Sequence, residues 1–136
     1  MKQEEPTLSH KFHLWWCHAR GAWGFPNCRP DGFWWFRTSK TASVAYICEA
    51  AVDAISLHEL HKTQQNREPA YYISIAGAAK QSAINRLKKT QLKLILAVDN
   101  DAAGQQCRDR NPDLQYILPE HKDWNEDLQA IQGHTY

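Results

Sequence analysis

The chain has 136 residues and a formal net charge of +1, a length that suits one domain with a sizeable core. The small net charge excludes a strong overall field, and no apolar run approaches the roughly 20 residues of a membrane span. Lys and Arg outnumber the acids in residues 1–42, whereas the acids outnumber them in residues 43–136, and this asymmetry favours a phosphate-rich partner. The first residues lack the apolar core of a signal peptide and the four cysteines form no Cys-x-x-Cys pair, so we expect a cytoplasmic protein with reduced thiols.

Residues 1–42 are predicted to form an irregular, tryptophan-rich segment that acts as a lid, a partner contact or a nucleic-acid contact. Five of the six tryptophans lie in it, and they either stack on bases or, as large aromatic side chains more often do, pack on the sheet or at an interface. The spacing of His13, Cys17, His18 and Cys28 lacks a ligand pair on both sides and argues against a structural zinc site. Residues 33–37 favour a short strand because aromatic side chains suit pleated surfaces.

From residue 43 onward, predicted strands and helices alternate. Apolar runs typical of buried parallel strands occupy residues 44–48, 71–75, 93–98 and 114–118. Helical patterns occupy residues 50–64, 80–90 and 102–110, and a short last helix follows the N-cap candidate Asp123. In the first helix we expect Val52, Ile55 and Leu60 to face the core. This order predicts an α/β domain over residues 43–136, with a roughly four-stranded parallel sheet flanked by helices.

Acidic side chains follow two of the predicted strands. Glu49 ends the first strand, and Asp99 and Asp101 come directly after the third. Ligands of parallel sheets bind at the carboxyl ends of the strands, and if these two strands are neighbours, the three carboxylates meet. They would repel one another unless a cation lay among them, and an oxygen-rich site of this kind suits Mg²⁺. For Glu49 taken alone, a helix cap or a solvated turn is the more common role of such a residue.

Two other acidic folds fit the sequence less well. In an EF-hand, Asp99, Asp101 and Gly104 would occupy the first, third and sixth loop positions, but Ala103 and Arg110 would then fall at the fifth and twelfth, which excludes that loop. A phosphoaspartate receiver domain would need an acid pair after its first strand, where this chain has only Glu49.

Three stretches resemble the motifs of the Toprim family. The stretch CEAAVDAISL (residues 48–57) resembles the first Toprim motif, and LAVDNDAAG (residues 96–104) is similar to the Toprim D-x-D motif. The stretch KDWNED (residues 122–127) is similar to the late acidic motif of primase-type Toprim domains. Over about residues 43–131, the sequence is most similar to primase-like and relaxase-linked Toprim domains of bacterial mobile elements. Ala50 departs from the pattern, because many Toprim domains have Gly there.

The resemblance implies a compact α/β fold and Mg²⁺-dependent chemistry on nucleic-acid phosphates, with Mn²⁺ as an alternative ion. It assigns Glu49 as general acid/base and as a metal-associated acid, and Asp99 and Asp101 as catalytic metal ligands. Asp53 becomes an auxiliary ligand, and Asp123 serves equally well as a ligand or as a helix cap. The candidates for contacts to nucleic-acid phosphates are Lys80, Lys122 and Asn125.

The function implied by the resemblance is primase-like nucleotidyl transfer in DNA replication or in mobilisation of a mobile element. The expected partners are single-stranded DNA and a helicase or relaxase subunit, with no membrane. Two alternatives stay open: a non-catalytic module that binds nucleic acid or a protein partner, and a Toprim nuclease or nicking activity. The sequence does not separate DNA from RNA substrates, or bond formation from cleavage.

Overall fold

The computed structural model describes residues 33–75 and 80–132. The spacing that argues against zinc and three of the five tryptophans, Trp15, Trp16 and Trp23, lie outside these ranges, whereas Trp34 is described and is buried in the core. Within them, no helix combines the length and the hydropathy that crossing a membrane requires.

Strands and helices alternate along the described chain as the sequence predicts. The strands are β1 (Trp34–Arg37), β2 (Val44–Cys48), β3 (Ala70–Ser74), β4 (Lys93–Leu96) and β5 (Gln115–Tyr116). The helices are α1 (Ala51–Thr63), α2 (Lys80–Lys88), α3 (Ala102–Arg110) and α4 (Trp124–Ile131). The third and fourth predicted strands are shorter than expected, since β4 ends at Leu96 and β5 has only two residues.

One five-stranded sheet has the order β1-β3-β2-β4-β5. Strands β2, β3, β4 and β5 run parallel, which confirms the predicted four-stranded parallel sheet. Strand β1 adds an antiparallel edge, with Trp34 opposite Ser74 and Arg37 opposite Tyr71. The predicted strand in the tryptophan-rich segment therefore belongs to the sheet, while the domain boundary at residue 42 stays a prediction.

Helices cover both faces of the sheet, so the central strand β2 is buried throughout. Alternate residues of a strand point to opposite faces, and β2 divides its side chains in this way. Tyr46 packs with Leu57 of α1 and Trp124 of α4 on one face. Ile47 packs with Ile84 and other apolar residues on the opposite face.

Helix α1 does not present the predicted face to the sheet. Leu60 is buried and Ile55 is partly buried, as expected, but Val52 is 37% exposed. The neighbouring Asp53 is only 4% exposed. The helix is rotated so that Asp53, Leu57 and Leu60, at spacing i, i+4 and i+7, face inward. The expectation for Val52 was wrong because the helix turns a carboxylate inward at this position.

Candidate metal centre

Three carboxylates meet at the carboxyl edge of the parallel sheet. Asp53, Asp99 and Asp123 each offer an oxygen, and these oxygens all lie within 4.8 Å of one another. Asp53 lies in the first turn of α1, Asp99 follows β4, and Asp123 precedes α4. Strand β4 is the direct neighbour of β2, so the residues that follow these strands meet at one edge. The two acid-bearing strands are thus neighbours, which was the condition for their acids to meet.

Asp99 has a strongly raised pKa. Burial is the largest cause, and the charges of Asp53, Glu49, Asp101 and Asp123 follow in that order; together they raise the pKa to about 7. Its Oδ1 atom is buried and has no hydrogen-bond partner among the described residues. A buried oxygen without a partner is costly, and a bound cation would satisfy it. This atom is the clearest indication that the cluster fits a metal ion.

Asp53 is the most buried carboxylate of the cluster. Burial, followed by the charge of Asp123, raises its pKa to about 6, although a hydrogen bond from the Asn125 backbone opposes that rise. The Asn125 N–H donates to Asp53 Oδ1 at 3.3 Å. Hard oxygen ligands in a mutually repulsive set suit Mg²⁺ or Mn²⁺, so the donor chemistry agrees with the ion implied by the sequence.

Asp101 and Asp123 both cap helices, but only Asp123 also joins the cluster. The Asp101 side chain accepts a hydrogen bond from the Gly104 N–H at 2.8 Å at the start of α3. Asp123 Oδ1 accepts one from the Glu126 N–H at 2.8 Å at the start of α4. The two roles considered for Asp123 are therefore compatible in one residue. Asp101 contributes its negative charge to the surroundings of Asp99 but lies outside the three-carboxylate group.

Glu49 lies beside the cluster and is paired with a lysine. Its carboxylate is 3.8 Å from Lys80 Nζ, at the start of α2, and its charge contributes to the raised pKa of both Asp53 and Asp99. Its backbone carbonyl accepts a hydrogen bond from the Ser74 hydroxyl at 3.3 Å. The structure therefore places Glu49 and Lys80 together at the edge of the acidic centre.

Hydrogen bonds connect residues 122–127, the late acidic segment, to the centre. The Asn100 N–H, between Asp99 and Asp101, donates to the Lys122 carbonyl at 2.7 Å. The Asn125 side-chain oxygen accepts from the Ser56 hydroxyl at 3.3 Å. Asn125 thus holds α4 against α1, and the side chain of Lys122 is exposed.

Three positioning residues were not predicted from the sequence. The Arg108 guanidinium, which is buried, donates from Nη1 to the Asp99 carbonyl at 3.1 Å. A Cβ atom at Gly104 would lie 1.8 Å from the same carbonyl oxygen, so only glycine lets α3 approach so closely. The Trp124 indole donates to the Ala97 carbonyl at 2.7 Å. Gly104 lies within the D-x-D motif and Trp124 within the late acidic motif, so both could have been singled out from the sequence. Arg108 lies outside the motifs.

A protein-family model described as Toprim-like matches residues 46–128. The matched segment begins in β2 and ends in α4, and it contains all the acids described above. No curated protein and no solved structure matches the chain significantly.

Proposed function

The chain belongs to the Toprim-like family, and we propose that it carries out Mg²⁺-dependent, primase-like nucleotidyl transfer. Membership implies a metal-dependent function on nucleic acid. The observation that carries the proposal is the buried Oδ1 of Asp99, which has no hydrogen-bond partner among the described residues and belongs to a residue clustered with two further carboxylates. Such an arrangement favours a divalent cation, which would satisfy the buried oxygen and offset the repulsion among the carboxylates.

Five acids make up the proposed catalytic centre. Asp99 is its central metal ligand, and the geometry supports Asp53 and Asp123 as further direct ligands rather than distant auxiliaries. The resemblance adds Asp101 as a ligand and Glu49 as general acid/base. A bound Mg²⁺ would offset the charge that develops on a phosphate during phosphoryl transfer.

Positively charged and amide groups around the centre would position the substrate. Lys80 Nζ, 3.8 Å from Glu49, would hold a phosphate near that carboxylate and orient it for proton transfer. Lys122 is exposed beside the acidic loop, where a cation can contact a passing backbone phosphate. Asn125 would keep Asp53 in place through its backbone N–H and contribute to the same phosphate-facing surface.

The proposed substrate is single-stranded DNA, in replication or in mobilisation of a mobile element, with a helicase or relaxase as partner. This finer assignment rests on the similarity of residues 122–127 to the late acidic motif of primase-type Toprim domains, and on the likeness of residues 43–131 to primase-like and relaxase-linked Toprim domains of mobile elements. The buried acids support catalysis over a purely binding role, because a binding module gains nothing from carboxylates that repel one another.

Calorimetric titration with Mg²⁺ and Mn²⁺ tests the proposal, in the presence and absence of a short single-stranded DNA. The variants are Asp99→Asn, Asp99→Asn/Asp101→Asn and, as a matched control on α3, the exposed Asp109→Asn. Saturable binding that persists in the control and is lost in the other two supports the metal centre. Primer synthesis and nicking are then assayed with the same proteins.

The results of these assays separate the candidate functions. Primer synthesis lost in Asp99→Asn supports primase-like transfer, and nicking without synthesis replaces that reaction with cleavage. DNA binding that survives Asp99→Asn, with neither activity in the wild type, makes the protein a binding module. Absence of metal binding even with DNA present refutes the metal-dependent proposal.

A further inference from the structure

The peptide group that joins Asp99 to Asn100 is held from both sides. Its carbonyl accepts a hydrogen bond from the Arg108 guanidinium at 3.1 Å, and its N–H donates to the Lys122 carbonyl at 2.7 Å. A peptide group is planar, so bonds at its two ends fix the orientation of the backbone beside Asp99. The side-chain rotamers open to a residue depend on its backbone dihedrals, and the direction of the Asp99 carboxylate therefore depends on these two bonds.

Arg108, which provides one of these bonds, is a buried charge. The residue is 8% exposed, and within residues 33–75 and 80–132 no carboxylate forms an ion pair with it. A buried charge without a counter-ion is costly unless its donors are satisfied. Loss of the bond would thus be unfavourable for the guanidinium as well as for the Asp99 carbonyl, and we expect the bond to persist in solution.

Two further contacts hold the guanidinium in place. Its Nη2 atom donates to Gln105 Oε1, about one helical turn earlier, at 3.4 Å. Its Cζ atom lies 5.7 Å from the centre of the Tyr116 ring, which belongs to the edge strand β5. A guanidinium that is already fixed by its neighbours loses less entropy when it holds another group than a mobile one does.

Gly104 leaves the space in which the contact forms. A Cβ atom at this position would lie 1.8 Å from the Asp99 carbonyl oxygen and 3.3 Å from Arg108 Nη1. The Asp101 side chain fixes the same turn of α3 by accepting from the Gly104 N–H. The helix that begins in the D-x-D motif thus supplies, less than two turns later, the donor that holds the first acid of that motif.

We infer that Arg108 is a positioning residue of the proposed metal centre, which holds the Asp99 backbone so that its carboxylate stays within the acidic cluster. This inference rests on the function proposed above, because it assumes that Asp99 binds a metal ion. Arg108 acts through the Asp99 peptide group rather than through an ion pair with the carboxylates. A carboxylate that is directed into the centre beforehand loses less freedom when the ion binds, so Arg108 strengthens metal binding.

The positive charge of Arg108 alone would have the opposite effect. A cation near the centre repels a metal ion, so removing it without any change in position should strengthen metal binding. Losing the bond to the Asp99 carbonyl should weaken metal binding. The sign of the change in affinity therefore separates positioning from electrostatic repulsion.

The test is calorimetric titration of the full chain with Mg²⁺ and Mn²⁺, at a temperature at which the variants are folded. Arg108→Met removes the charge and the donors, whereas Arg108→Lys keeps the charge and a shorter donor. Arg110→Met, which replaces an exposed arginine of the same helix, is the matched control. Urea unfolding reports the stability of each variant separately. Hydrogen exchange of the Asn100 amide in EDTA, followed by NMR, reports on the peptide group without any metal ion.

We expect Arg108→Met to weaken binding of both ions about tenfold, the effect of losing one hydrogen bond from a charged group. Arg108→Lys should recover part of this loss although it keeps the positive charge, and Arg110→Met should bind as the wild type does. In Arg108→Met, exchange of the Asn100 amide should accelerate more than that of the Ala97 amide. The latter donates to the Ile47 carbonyl at 2.8 Å and reports on opening of the sheet.

Several results would overturn this inference. Tighter metal binding in Arg108→Met than in the wild type would make charge the dominant effect. Unchanged affinity in both Arg108 variants, with lower stability in urea, would make the residue purely structural. Equal acceleration of the Asn100 and Ala97 amides would show that Arg108 does not hold the peptide group. These results leave the proposed function standing, whereas a wild type that binds no metal refutes both.

The lysine variant keeps the test decisive if Arg108→Met does not fold. Positioning predicts that Arg108→Lys binds both ions more weakly than the wild type, because the ammonium cannot reproduce the fixed fork of the guanidinium. Repulsion by charge alone predicts equal binding, because the charge is kept. Equal or tighter binding in Arg108→Lys would then overturn the inference.

Discussion

Replacing Asp99 with asparagine should make the metal-free protein more stable while it abolishes the stabilising effect of Mg²⁺. The Asp99 carboxyl has a pKa of about 7 in the folded protein against an ordinary value of 3.8. Between these values the folded state binds more protons than the unfolded state. The free energy of unfolding of the wild type therefore falls as the pH rises from about 4 to about 7, and is lowest above that range.

The size of the effect follows from the same pKa. A rise from 3.8 to about 7 corresponds to about 4 kcal/mol of repulsion and desolvation at pH 8. Asp99 is only partly buried and shares its repulsion with Asp53, so removing its charge should recover on the order of 2 kcal/mol. For a chain of this length, that is a melting temperature higher by roughly 6–10 °C.

Thermal unfolding at pH 8 measures the effect, first in EDTA and then in Mg²⁺. At ten times its dissociation constant, Mg²⁺ should stabilise the wild type by about 1.4 kcal/mol and leave Asp99→Asn unchanged. The control Asp109→Asn removes an exposed carboxylate of α3 and should shift neither measurement by more than about 0.5 kcal/mol. A less stable Asp99→Asn in EDTA, or a wild type whose stability is constant between pH 4 and 8, would refute this reasoning.

Three substitutions test the surroundings of the centre and one helix end, each by urea unfolding and metal titration. Gly104→Ala should lower the free energy of unfolding by about 3 kcal/mol and weaken metal binding, because the new Cβ would collide with the Asp99 carbonyl. An unchanged free energy of unfolding would contradict the close approach of α3 to that carbonyl. Trp124→Phe keeps an aromatic ring but removes the pyrrole part of the indole, so the Ala97 carbonyl loses its 2.7 Å donor. We expect the free energy of unfolding to fall by about 1–2 kcal/mol, and an unchanged urea midpoint would show that water replaces the indole. Gln65→Gly should stabilise the chain by roughly 1 kcal/mol without altering metal binding, because Gln65 has φ = 60°, a left-handed conformation that glycine adopts without strain. Destabilisation would mean that contacts of the Gln65 side chain outweigh the strain in its backbone.

The order of strands and helices could be predicted because local patterns encode it. The apolar run of β2 and the acid that ends it identify a buried parallel strand, and the helix patterns at α2 and α3 agree with the observed bounds to within two residues. The burial of Asp53 in place of Val52 could not be predicted. Apolar periodicity assumes that helices turn apolar residues inward, and here a carboxylate faces inward, where it joins the acidic cluster and accepts a hydrogen bond from the Asn125 N–H.

The composition of the acidic cluster was only partly predictable for a related reason. The sequence predicts that Glu49, Asp99 and Asp101 form the site because they follow the ends of two predicted strands. Which oxygens converge depends on where α4 packs, and that packing places Asp123 within 4.8 Å of Asp99. Asp101 instead directs an oxygen to the first turn of α3. A helix-capping hydrogen bond depends on residues that are close in the sequence. The membership of the cluster depends on contacts between distant segments.

In the proposed metal centre, binding of an ion would therefore be coupled to the docking of α4. Asp53 belongs to α1 and Asp99 follows β4, but Asp123 reaches them only when α4 is in place. Two contacts hold it there: the Trp124 indole on the Ala97 carbonyl and the Asn125 N–H on Asp53. Without a cation, repulsion between Asp123 and the other two acids opposes both contacts, whereas a bound cation would attract the same carboxylate and favour them. Metal binding and the attachment of α4 should consequently strengthen each other, so a substitution that loosens α4 weakens the metal even where it touches no ligand.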